Sequence, residues 1–183
     1  MPGTCCRFVL VVGLMIAIAA PAAFVRADTS GASDVHLFLS PYCGISQERL
    51  REAAPVLSSL EAGGRHVEFH LIGLRGDATE FSMLQHLVCA NAQARFIPYF
   101  LFVSRAIREG RTVHHEHLAQ AIGLDTEVFR RCVRDTAYSD AALERSRAIF
   151  DAYALRGVPA VIAKDKAFTF RGMQEVLERD SDE

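Results

Sequence analysis

Strand signals fall at the two ends of this chain, and none lies between them. Residues 34–40 form a short apolar run closed by Pro41, the pattern of a buried strand. Residues 67–72 alternate Val67, Phe69 and Leu71 against Glu68, His70 and Ile72, the period of a second strand. From 78 to 155 the apolar residues recur at helical spacing throughout. Strand patterns return only at 159–163 and 167–170, separated by a turn at Lys164, Asp165 and Lys166. A sheet built from these segments requires the two ends of the chain to meet, with everything between them set aside as a helical insertion.

Between the first two strands, residues 46–60 predict a helix with Leu50, Ala53, Ala54, Leu57 and Leu60 on one side, kinked at Pro55 and stopped by Gly63 and Gly64. Strand, helix, strand implies a right-handed crossover and a parallel pair. The insertion reads as five helices, at 78–95, 99–109, 115–122, 126–134 with Asp125 as N-cap, and 139–155. A short helix at 172–179 ends the chain. The expected fold class is therefore α/β, with a helical insert at about 77–156 between the second and third core strands.

The first 27 residues read as an export signal. Arg7 precedes an almost wholly apolar stretch from Phe8 to Ala20, and Val25-Arg26-Ala27 has the small-residue spacing of a cleavage site after Ala27. That stretch is shorter than the roughly 20 residues of a membrane span. The expected mature domain is 28–183, periplasmic or secreted, with no membrane contact once the signal is cut. Removing Arg7 and Arg26 from 20 Lys+Arg leaves 18 against 22 Asp+Glu. That acidic balance argues against nucleic acid, which selects basic surfaces. Cys5 and Cys6 leave with the signal. Cys43, Cys89 and Cys132 remain, an odd number in an oxidising compartment, which implies one pair and one free thiol.

Cys43 lies where the first helix should begin, in Ser40-Pro41-Tyr42-Cys43-Gly44-Ile45-Ser46. A helix start presents unsatisfied N–H groups and the positive end of the helix dipole, which favour the thiolate, the reactive form of cysteine. The competing reading is a buried, inert cysteine. Cys89 and Cys132 fall on different predicted helices of the insert. A structural disulfide between them is the default for an exported protein, and a resolving role for one of them toward Cys43 is the rival. His114, His115, Glu116 and His117 look like a metal cluster. Only His114 and His117 share a helical face, however, and zinc sites need three or four convergent ligands, so no metal site is assigned there. Phe96, Tyr99, Phe100 and Phe102 either pack the insert on the core or line a groove. Arg105, Arg108 and Arg111 read as a solvated face.

Two motifs, the 40–46 run and Arg156-Gly157-Val158-Pro159-Ala160-Val161, lie at opposite ends of this element order. With the insert, they resemble the DsbA-like branch of the thioredoxin superfamily, the periplasmic disulfide oxidoreductases. The resemblance implies a thioredoxin-like fold with Cys43 as nucleophile. It further implies a cis Val158–Pro159 bond facing Cys43, and a substrate site formed by Tyr42, Gly44, Ile45, Val158 and Pro159. Its implied partners are cysteine-containing proteins or peptides and a redox partner protein.

The chain departs from the family twice. Redox-active members carry Cys-x-x-Cys, where this chain has Ser46. Active members often carry an acid six residues before the first cysteine, where this chain has Leu37. A lone thiol cannot store two electrons in its own motif. It can still form mixed disulfides, which a substrate thiol or a small thiol such as glutathione resolves. Ser46 is the expected hydrogen-bond partner of the Cys43 thiolate. The expected function is single-cysteine thiol–disulfide exchange of isomerase or reductase type, with no cofactor except possible glutathione as co-substrate. The alternatives are a redox-inactive peptide- or protein-binding module on the same scaffold, and a glutathione-dependent enzyme similar to the kappa-class transferases.

Overall fold

A computed structural model describes residues 35–169. The expected signal segment and the expected helix at 172–179 lie outside the described residues. Four strands form one sheet in the order β2-β1-β3-β4. β1 (Val35–Leu39) pairs parallel with β2 (Val67–Leu71), with Leu37 opposite Phe69. β3 (Ala160–Ala163) runs antiparallel to β1, and β4 (Lys166–Thr169) antiparallel to β3. Lys164 and Asp165 both have positive φ, at 49° and 58°. This two-residue geometry follows the natural twist of a hairpin.

α1 (Gly44–Ala62) crosses from β1 to β2. It runs unbroken through Pro55, which is exposed, so the carbonyl that proline leaves without a helical donor is on the solvent side. Five helices follow before β3: α2 (Ala78–Asn91), α3 (Phe96–Arg108), α4 (His115–Ala121), α5 (Thr126–Arg134) and α6 (Thr136–Ala152). α3 starts three residues earlier than its periodicity suggested, because Pro98 falls in the first turn, where its missing N–H costs nothing. The architecture is a thioredoxin-like sheet with a helical domain inserted between its second and third strands.

The two sheet faces bury different cores. Leu37 and Leu39 of β1 belong to the larger one, with Leu50 and Leu57 of α1 and Tyr99, Phe100 and Val103 of the insert. Three of the four predicted aromatics, Phe96, Tyr99 and Phe100, are buried in it, whereas Phe102 stays exposed. Phe38, Ile72, Ala160 and Ile162 face the other way, onto Phe150 of α6. His70 is also on this second face, stacked on Phe38 at 4.6 Å between ring centroids. β2 therefore has no solvated polar side at His70, because α6 covers it.

Inside the insert, Cys89 of α2 and Cys132 of α5 are bonded to each other, with 5.7 Å between their Cα atoms. Next to them Tyr99 Oη and His115 Nδ1 are 2.6 Å apart, and His115 stacks on His86 at 3.8 Å. Burial pushes the Tyr99 hydroxyl pKa up and, with His86 and His114 adding to it, holds His115 down at about 4. Both groups are therefore neutral, and a single proton bridges them. Of the other two histidines in 114–117, His114 stands at the N-cap of α4 without a side-chain cap bond, and both His114 and His117 are exposed. Arg105 and Arg111 both pair with Glu109 at the surface.

Candidate active site

Cys43 is the N-cap residue of α1, in extended backbone geometry (φ −99°, ψ 110°). The turn that delivers it is closed by the Cys43 N–H, which donates to Ser40 O at 3.1 Å. The helix then begins with Gln47 N–H donating to Cys43 O at 3.2 Å. Pro41 ends β1 and the turn reverses the chain. The thiol is consequently held at the C-terminal edge of a central strand, partly exposed.

The segment before β3 meets it there. Val158–Pro159 is a cis peptide, and Cys43 Sγ lies 3.5 Å from Val158 O. In this arrangement the protonated thiol donates to the carbonyl. A thiolate would be repelled by that oxygen and drawn toward the α1 N–H groups. Val158 and Pro159 are half-buried, and Gly44 and Ile45 are exposed beside the thiol, Ile45 to 58%.

Ser46 differs from its expected role. It is fully buried, and its Oγ accepts from the Ser40 N–H at 3.3 Å. No hydrogen bond joins it to Cys43 among the described residues. The side chain one turn into the helix stitches the Ser40–Tyr42 turn together from below instead of reaching the sulfur. The helix start is anchored to the insert by Gln47, whose Nε2 donates to Leu101 O on α3 at 3.4 Å. Leu37, at the position where an acid would relay protons, is fully buried in the apolar core.

One wall of the site went unread in the sequence. Arg75 stands over the Tyr42 ring at 5.0 Å. Burial raises the Tyr42 pKa, and the Arg75 charge opposes that rise. The Arg75 guanidinium pairs with Asp77 at 2.7 Å, and its backbone is held as well. The N–H groups of Leu74, Arg75 and Gly76 each donate to the buried Glu80 carboxylate at 2.7 Å. Gly76 sits at φ +72°, which glycine adopts without strain. A side chain at Gly73 would press within 3.1 Å of Glu80 Oε2. Asp77 caps α2 by accepting from the Glu80 N–H at 2.8 Å. Asp77-Ala78-Thr79-Glu80, an N-cap aspartate followed three residues later by glutamate, is a capping-box pattern that marks the start of α2 and leaves the cradle itself unannounced.

No family model matches the chain, and no curated protein matches its sequence. Solved structures do. A thioredoxin-like oxidoreductase from Silicibacter pomeroyi DSS-3 superposes with a TM-score of 0.59 at 15% identity, over 84% of this chain and 88% of that one. The thiol-disulfide exchange protein alpha-DsbA2 from Wolbachia pipientis gives 0.61 at 14% identity, over 83% of each chain. MdbA, a thiol-disulfide oxidoreductase from Corynebacterium diphtheriae, gives 0.64 at 13% identity, over 85% of each. The fold is DsbA-like. Identities this low establish architecture, and chemistry has to be argued from the site itself. On the DsbA-like scaffold the structure brings Tyr42, Cys43, Val158 and Pro159 together, with Gly44 and Ile45 at the rim and Ser46 beneath. Cys43 is the free cysteine of the described residues.

Proposed function

We propose that this chain is an exported thiol–disulfide exchange protein that works through the single nucleophile Cys43. The carrying observation is the placement of a free, partly exposed thiol at a helix N-cap, 3.5 Å from the carbonyl of a cis-proline loop. The Cys43 thiolate attacks one sulfur of a substrate disulfide R–S–S–R′. A Cys43–S–S–R bond forms and R′–S⁻ leaves. A second thiolate, from the substrate or from glutathione, attacks R–S, forms a new disulfide and returns the Cys43 thiolate. When the second thiol is the substrate's own, bonds are reshuffled with no net redox change. When it is glutathione, the substrate is reduced by one thiol equivalent per turn. The Val158 and Pro159 backbone would align an extended substrate segment beside the sulfur, and Ile45 with the Tyr42–Arg75 pair would border it. Cysteine-containing proteins or peptides are the substrates, in a periplasmic or secreted setting.

Mature protein incubated with a scrambled disulfide substrate and a glutathione buffer is expected to regain native pairing faster than substrate alone. Cys43→Ser is expected to abolish the gain. Unchanged activity in that variant would refute the assignment. A second reading, a binding module that lends its groove without turnover, is favoured by one observation, the thiol's resting contact with Val158 O in place of a helix N–H. A reducible covalent adduct captured from the native compartment separates the first reading from the second, which yields only non-covalent complexes.

A further inference from the structure

His36, Glu68 and His70 converge at the far end of β1 from Cys43, on the sheet face covered by α6. We propose that they form a divalent transition-metal site, with zinc as its natural fit. His36 Nδ1 and His70 Nε2 are 2.9 Å apart, His36 Nδ1 and Glu68 Oε2 3.3 Å, and His70 Nε2 and Glu68 Oε2 3.7 Å. Ligands at zinc-bond lengths of about 2.0–2.2 Å in tetrahedral array stand about 3.3 Å from one another. The three separations bracket that value, so the ligand atoms need to move by only a few tenths of an ångström.

The sheet register explains the convergence. His36 is directly opposite Glu68, and His70 lies one pleat further along the same face. Two strands therefore present three ligands without a loop, which makes the triangle rigid. The orientation of His70 is also set. Its Nδ1 is 3.2 Å from Ser146 Oγ, and that hydroxyl donates to Ala142 O at 2.8 Å. Ser146 is left as acceptor, so His70 carries its proton on Nδ1 and directs the Nε2 lone pair at the triangle. An outer hydrogen bond of this kind is how metal-binding histidines are usually fixed. Arg145 lies 3.3 Å from both oxygens of Glu68. Its charge is unfavourable beside the site, and its side chain is 61% exposed.

Two histidines and one carboxylate suit zinc and its neighbours better than magnesium or calcium. His70 is 2% exposed, whereas His36 and Glu68 are 22% and 20% exposed. The fourth position opens on that side, where water or a substrate atom completes the tetrahedron. A bound ion would cross-link β1 to β2 and stabilise the sheet by mass action.

The test uses mature Cys43→Ser protein, which removes the thiol as a competing ligand, and zinc itself as the probe. Titration against a chromophoric chelator should show one zinc per chain and a rise in Tm. His36→Gln and Glu68→Gln should each weaken zinc by at least about tenfold, whereas His117→Gln should leave it unchanged. Imidazole NMR signals of two histidines among the seven should shift on zinc addition, a readout that needs no substitution at the ligand residues. Absence of stoichiometric binding, or binding indifferent to both His36→Gln and Glu68→Gln, would overturn the site.

Discussion

At the scale of single residues, the exchange reading makes Ser46 the position that decides how Cys43 would finish its chemistry. Its buried Oγ holds the Ser40 N–H, so Ser46→Cys trades an oxygen acceptor for a weaker, larger sulfur at a packed position. That variant is expected to gain dithiol oxidase activity and to lose about 1 kcal/mol of stability with the hydrogen bond. Parallel oxidase assays and thermal melts check both halves. His115 gives a second residue-scale prediction. Burial holds its folded pKa at about 4, below the ordinary 6.5. The unfolded chain therefore binds more protons between those values, and stability falls as pH drops from about 6.5 toward 4. Below that window this group adds no further loss. His115 is only part-buried, so the loss is discounted to about 1 kcal/mol, a Tm decrease of about 3 °C. His115→Asn should flatten that part of the Tm-against-pH curve. If it leaves the slope untouched, other groups carry the acid sensitivity.

Among elements, the loop between β2 and α2 has the most to lose from one substitution. Glu80→Ala leaves three backbone N–H groups without their carboxylate and is expected to cost about 3 kcal/mol. It should also release Arg75 from Tyr42. Faster hydrogen exchange at Leu74, Arg75 and Gly76, with no change at β1, is the expected signature. Element identity was legible in the sequence because long periodic segments announce themselves. α5 matches its expected bounds to the residue, since Asp125 is a true N-cap accepting from Glu127 and Val128 N–H. The Glu80 cradle was not legible, because a buried glutamate feeding a loop looks like any first-turn acid. The His36–Glu68–His70 triangle was hidden for a different reason. Its outer residues are 34 positions apart, and the alternation in β2 suggests water on the side that α6 covers.

For the whole molecule, the order of strand and helix signals was enough to anticipate the topology. The conjunction of Cys43 with Val158 needed the fold, since 115 residues separate them. The insert that intervenes carries its own staple. Replacing Cys89 and Cys132 together by serine opens a link of 43 residues and is expected to destabilise the protein by about 4 kcal/mol in the chain-entropy picture. Exchange activity at Cys43 should survive at temperatures where the variant remains folded, because the bond does not touch the site. Loss of activity in a folded variant would mean that one of these sulfurs takes part in turnover.

That staple also settles what happens to Cys43 under peroxide. A two-cysteine motif converts a sulfenic acid into a disulfide within the motif, before further oxygen is added. Here both other described cysteines are already spent on each other. A sulfenate at Cys43 must wait for a thiol from solution, and where such thiols are scarce it proceeds to the sulfinate, which does not come back. The lifetime of the protein as a reagent is then set by its surroundings, and the same arrangement that leaves the thiol free leaves it unguarded.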